Sequence, residues 1–301
     1  MNSSRHILRW LLGGIVLAGA TACSGDDSAP EPTDGVKVRR LTITQTDDNA
    51  ATRATLTEDD GLMAKWTAGD ALTYCNLSRV DYDNGEAPYS GGLTAASTAA
   101  TSQFTGNVTC SAGDYLAVVY PAATFTTNSQ YTIALSGQDG TLAGLATRFH
   151  YVYGRALVTA VTDAAVDATM PKMKSLLTVC KFSFVDKATN EAIPVKSLSI
   201  SYGGDGSDVG KYPQTATVAI GANTEQADVH AKGTTGTGAL TVTCSTAQDA
   251  VYVALLPTPA ERTFSFTVSD GSGSTYTGTA RATLAEGEYI AATGLKLTKQ
   301  Q

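Results

Sequence analysis

Apolar residues in this chain recur at every second position in short runs, and hardly anywhere at helical spacing. Phe182 and Phe184, then Phe264, Phe266 and Val268, show the alternation. A strand turns successive side chains to opposite faces, so period two reads as a strand with one buried face. Further runs are Leu41 to Thr44, Asp70 to Cys75, Gly113 to Pro121, Tyr131 to Leu135, Leu177 to Val185, Ser197 to Tyr202, Ala250 to Pro257 and Leu295 to Thr298. Gly, Asp, Asn and Ser break them apart. The stretch Thr141 to Tyr151 is the one tolerable helix, with an irregular loop as its alternative. Many short strands separated by turn signals predict an all-β chain built of β-sandwiches.

A faint repeat suggests two such bodies. Val108 to Phe125 and Val242 to Phe264 share V-T-C-S, an apolar strand ending in Pro, and a small-residue loop into T-F. Asp163 to Lys174 interrupts the strand pattern with Pro171 and small residues. The expected division is an N-terminal domain over 36–168 and a C-terminal domain over 169–301. Each half carries a second cysteine upstream, Cys75 and Cys180. Four cysteines allow three pairings; the repeat favours disulfides Cys75–Cys110 and Cys180–Cys244, and four buried thiols are the alternative. The cysteines form no C-x-x-C pair, and zinc spacing is absent.

The N-terminus fixes the compartment expected. Arg5 and Arg9 precede an apolar stretch from Trp10 to Ala22, and the small residues Ala20, Thr21 and Ala22 lead into Cys23. This is the layout of a lipoprotein signal peptide over 1–22, with Cys23 carrying the acyl chains (palmitate). The position three residues before Cys23, where such signals usually have Leu, is Ala20. An ordinary secretory cut after Ala22 is the alternative. The apolar stretch is short of the roughly 20 residues that span a bilayer. Residues 23–35 are acidic and rich in Pro and Gly, and read as a flexible tether. Acids directly after a lipidated cysteine resemble the export signal of surface lipoproteins in one group of Gram-negative bacteria. Asp27-Ser28-Ala29 resembles the O-glycosylation site of that group, with Ser28 as the acceptor.

Charge and motifs narrow the function. Loss of residues 1–22 takes the formal charge from −7 to −9. That sign repels phosphates, and no Lys/Arg cluster overrides it, so nucleic acid is set aside as a partner. The G-x-S-x-G elbow, the P-loop, G-x-G-x-x-G and H-E-x-x-H are all missing. The acids lie in turn-like contexts, so no catalytic residue is named and no enzyme, metal or cofactor is expected. The loop Ser201 to Gly210 offers oxygens to calcium but lacks the EF-hand pattern, and reads as a hairpin connection.

Several motifs then fall into a familiar order. After the lipid cysteine come V-K-V-R-R-L-T-I-T (Val36 to Thr44), T-R-A-T-L (Thr52 to Leu56) and W-T-A-G-D (Trp66 to Asp70). Tyr120-Pro121, Q-D-G-T-L (Gln138 to Leu142) and M-K-S-L-L-T-V-C-K-F-S-F (Met173 to Phe184) follow. Across the mature chain this order resembles the fimbrillin family, the subunits of type V pili. The resemblance implies two tandem transthyretin-like β-sandwiches on a surface lipoprotein of the outer membrane, incorporated into fimbriae. It implies an Arg-specific protease cutting between Arg53 and Ala54 and releasing Cys23 to Arg53, including the strand at Val36 to Thr44. Arg39 and Arg40 are rival cut sites inside that strand. The emptied groove would take a strand from another pilin subunit by β-augmentation. The resemblance places the donor at the C-terminus, where Leu295 and Leu297 share one face of Ala291 to Gln300 and Gly294 is a hinge. Its alternative is the last core strand of its own domain. The phase of apolar residues slips between Val38 and Leu41, which predicts a bulge there. Trp66 is expected in a core.

A second reading is a monomeric surface lipoprotein that binds glycan through a sandwich. Trp10 belongs to the leader, leaving Trp66 as the mature tryptophan, but Tyr74, Tyr82 and Tyr89 gather beside a polar loop. Under either reading a host or bacterial surface ligand is a candidate partner.

Overall fold

The computed structural model describes residues 38–45, 55–58, 62–79, 89–126, 130–171, 173–220, 229–233 and 236–301. Its first half contains β1 (Arg39–Gln45), β2 (Thr55–Glu58), β3 (Leu62–Lys65), β4 (Ala71–Asn76), β5 (Ser90–Ala95), β6 (Gln103–Val108), β7 (Tyr115–Tyr120), β8 (Gln130–Ala134), α1 (Leu142–Arg148), β9 (Val152–Val161), β10 (Ala165–Met170) and β11 (Lys174–Ser175). The second contains β12 (Thr178–Asp186), β13 (Ala192–Ile193), β14 (Val195–Tyr202), β15 (Thr215–Ile220), β16 (Val229–Gly233), β17 (Leu240–Gln248), β18 (Val251–Leu255), β19 (Arg262–Ser269), β20 (Thr275–Ala282) and β21 (Tyr289–Lys299). The chain is all-β, as its alternation requires.

The first body is a ring. Its strands run β10-β1-β6-β5-β4-β7-β9, and β9 pairs back onto β10. Closure leaves this wall no open edge. Leu41 and Ile43 on β1 alternate inward as predicted, and so do Phe104 and Val108 on β6. Val166, Ala168 and Met170 on β10 also face inward, so Asp163 to Lys174, expected to interrupt the strand pattern, instead holds a strand that closes the ring. Trp66 is fully buried among them, edge-on to Phe104 at 4.9 Å and to Tyr120 at 5.5 Å. It packs the core, as expected.

The second body is a sandwich joined at one side. β12 carries β18 and β13 along one edge and β21 along the other. β21 continues into the second layer, β21-β20-β19-β14-β17. Phe182, Phe184 and Phe266 meet between the layers at 5.3–6.2 Å. The repeat has a counterpart in pairing. Cys75 on β4 lies opposite Ala117 on antiparallel β7, and Cys180 on β12 lies opposite Val253 on antiparallel β18.

The segment 130–150 crosses the division expected at 168/169. β8 pairs with β15 of the second half in a small sheet, β16-β15-β8. Gln138, buried, donates its amide to the carbonyls of Leu135 and Ala254 and accepts the Ala254 N–H at 2.8 Å. Gly140 follows at φ +75°, where a Cβ would press on the Cys244 Sγ at 2.9 Å, so only glycine fits. Thr141 then caps α1 by accepting the Gly144 N–H. All these residues lie within one compact unit, Lys37–Gln301.

The loop Ser201 to Gly210 differs from its expectation. It leads from β14 into β15, which belongs to another sheet, and so is no hairpin. Asp208 in it forms an ion pair with Arg262, whose guanidinium lies 4.2 Å from the Tyr202 ring centre.

Candidate functional site

β1 is held on both sides. It runs parallel to β10, from Arg40↔Ala165 to Gln45↔Met170, and antiparallel to β6, from Arg39↔Val108 to Thr44↔Gln103. Leu41 and Ile43 are fully buried, and each such side chain is worth about 1.5–3 kcal/mol. Gln45 closes the strand, and its Oε1 accepts the Trp66 indole N–H at 3.2 Å. The register shows no bulge. The strand begins at Arg39, and Val38 stays 68% exposed outside it; the apolar slip marks a strand start instead. Without β1, strands β10 and β6 would flank a slot ~10 Å wide, two strand spacings. Both walls would present backbone groups with no partner, which is a template for another strand.

Arg39 and Arg40 sit in this doubly paired strand, a poor position for protease access. Arg53 and Ala54 lie outside the described residues, directly before β2. Cys23, Ser28, the signal peptide and the tether also lie outside them.

β21 is the last described strand. It runs parallel to β12 from Val179↔Tyr289 to Asp186↔Leu297, and Thr298 and Lys299 turn onto β20. Leu297 is fully buried, Leu295 is half-buried, and Ala291, Thr293, Lys296 and Thr298 are exposed. The apolar phase changes inside it, from Ile290 and Ala292 to Leu295 and Leu297. Gly294 makes the change as a bulge at φ +66°, with its N–H donated to Ser183 Oγ at 2.9 Å. The structure therefore docks Leu295 and Leu297 in their own domain.

Among the described residues the cysteines form no disulfide; Cys75, Cys110, Cys180 and Cys244 are buried thiols. Cys75 packs in the cluster outside the ring wall and Cys110 in the cluster inside it, so the first expected pair faces opposite ways. Cys180 and Cys244 lie on β12 and β17, in different layers of the sandwich. Burial and the nearby Glu288 push the Cys180 thiol up to about 12, so it is not a reactive thiolate at neutral pH.

Tyr74 and Tyr89 of the expected grouping line one groove, but they differ in exposure. Tyr74 is buried and donates its hydroxyl to the Asn107 carbonyl at 2.8 Å; burial first, then Cys110 and Cys75, raise it to about 12. It is no exposed platform. Tyr89 is 41% exposed at the rim of a groove of about 450 Å³ over β5 and β6. Tyr82 lies outside the described residues. The tyrosine grouping marked one side of this groove in the sequence; its β6 wall, without an aromatic or a charge, left no mark there.

Solved proteins similar to this chain were found by comparison of folds. One from Bacteroides uniformis, named as a candidate cell adhesion protein, superimposes with a TM-score of 0.52 at 18% identity, covering 90% of this chain and 98% of that one. Another so named, from Bacteroides fragilis, gives 0.48 at 12%, covering 87% and 97%. A shaft pilin of Lactobacillus rhamnosus gives 0.35 at 11%, covering 88% and 98%. No family model matches the sequence, and no curated protein does. At such identities the likeness is one of fold, and this chain shares the all-β fold of the Bacteroides uniformis protein.

Proposed function

We propose that this protein is a structural or accessory/tip subunit of a type V pilus, exported as a lipoprotein through Cys23 and assembled by protease-triggered strand exchange in the service of adhesion. The observation that carries the reading is the place of β1. It is the first described strand, and it is the one that lies between β10 and β6 in a closed ring. Cutting at Arg53 would sever it from the rest of the ring. The donor would be β21 of another subunit, whose Leu295-Lys296-Leu297 matches the Leu41-Thr42-Ile43 face in spacing and polarity. Head-to-tail addition of this kind does not close on itself and yields a filament.

Arg53→Ala tests the reading. The variant folds and reaches the surface at the outer membrane, and sheared surface material from it contains no polymer ladder. Normal ladders from that variant would overturn cleavage at Arg53.

A further inference from the structure

The groove over β5 and β6 is unexplained by strand exchange; it opens on the outer faces of these strands and reaches in to Tyr74 and Val108 of the ring core. Its outer faces carry Gly92 and Thr94 from β5 and Thr105 and Asn107 from β6, with Thr94 and Thr105 directly opposite each other. Tyr89 stands at one rim and Val38 at another. Among the described residues no charged side chain lines it. A Cβ added at Gly92 would meet nothing within 4 Å, so the missing side chain leaves open space above the strand. Its volume of about 450 Å³ falls in the range of small-molecule sites, roughly 300–1,000 Å³.

Hydroxyls and an amide around an aromatic edge, without charge, suit a ligand that is itself neutral and rich in hydroxyls. An anion finds no cation among the described residues of the groove, and a purely apolar ligand would strand the threonines and Asn107. We infer that this groove is a binding site for a neutral saccharide, with Tyr89 covering the C–H face of a sugar ring and Thr94, Thr105 and Asn107 meeting its hydroxyls. The glycine at 92 lets the ring approach the sheet. The site also depends on β1. Val38 directly precedes β1, and the Thr105 to Val108 wall is paired to it through Thr42 to Arg39. Removal of β1 takes away one rim and frees one wall, so the site is complete in the uncleaved chain.

The test is saturation-transfer NMR on the full mature chain with the methyl glycosides of glucose, galactose, mannose, fucose and N-acetylglucosamine, with sialic acid as the charged comparison. At least one neutral glycoside gives transfer and sialic acid gives none. Gly92→Val fits the strand and fills the groove, so it removes the signal while the circular dichroism spectrum is unchanged. Tyr89→Ala weakens binding at least tenfold. No transfer from any of the five glycosides, equal transfer from sialic acid, or full binding by a folded Gly92→Val chain would each overturn the site. Pilus assembly by the Gly92→Val variant is unaffected, which keeps this outcome separate from the strand-exchange reading.

Discussion

Asp139 shows how a single side chain secures the crossing segment. Burial works to raise its pKa, but the backbone N–H and hydroxyl of Thr141 and the Arg148 guanidinium together outweigh it, so it stays below the usual carboxylate value. A carboxylate that titrates lower folded than unfolded adds stability that is complete above its unfolded pKa, about 4. That stability is lost as the pH falls through the lower folded value. Urea midpoints measured from pH 6 down to pH 3 therefore fall for the parent chain and fall less for Asp139→Asn; equal losses would contradict the assignment. Arg155 is the opposite case. Its three guanidinium nitrogens are buried without a hydrogen-bond acceptor among the described residues, and its ring contact is Tyr115 at 4.1 Å. A buried charge without a polar partner is costly, and well-packed apolar replacements are often neutral or stabilising by about 1–4 kcal/mol. Arg155→Met should leave the melting temperature unchanged or raise it, and a clear drop would show that the charge has a partner.

Strands were legible one at a time because alternation is local. Leu41 and Ile43 on β1, or Phe264, Phe266 and Val268 on β19, declare a buried face whatever lies beside them. Pairing partners carry no such mark. That β1 lies parallel to β10, or that β8 joins β15, depends on residues over 80 positions away in sequence. The same limit explains the cysteines: the repeat placed Cys75 and Cys110 in one half, but could not show that they face opposite sides of one wall. Gly294 was readable as a break, and the structure shows why a break is needed. With φ at +66° a β-branched residue is strained there by about 1–3 kcal/mol. Gly294→Val should lower the unfolding free energy by about that amount, read from urea denaturation. An unchanged midpoint would mean that the bulge can move along β21.

At the scale of the molecule, two strands from opposite ends of the described chain take equivalent places. Each terminal strand, β1 and β21, lies parallel to its neighbour, β10 and β12 respectively, while most other pairs are antiparallel. Parallel pairs join strands that no hairpin can connect, so a terminal strand can be supplied by another chain without changing any loop. Closure of the ring makes β1 necessary to one core. Trp66 reports on this arrangement, since its indole is buried beside Phe104 and bonded to Gln45 of β1. The decisive measurement is its emission in mature chain cleaved at Arg53 and separated from the released segment, before and after adding a synthetic peptide of residues 289–301. The account predicts a shift to longer wavelength when β1 is gone and a return when the peptide fills its place. Emission that stays buried without β1, or that ignores the peptide, would contradict strand exchange at this ring.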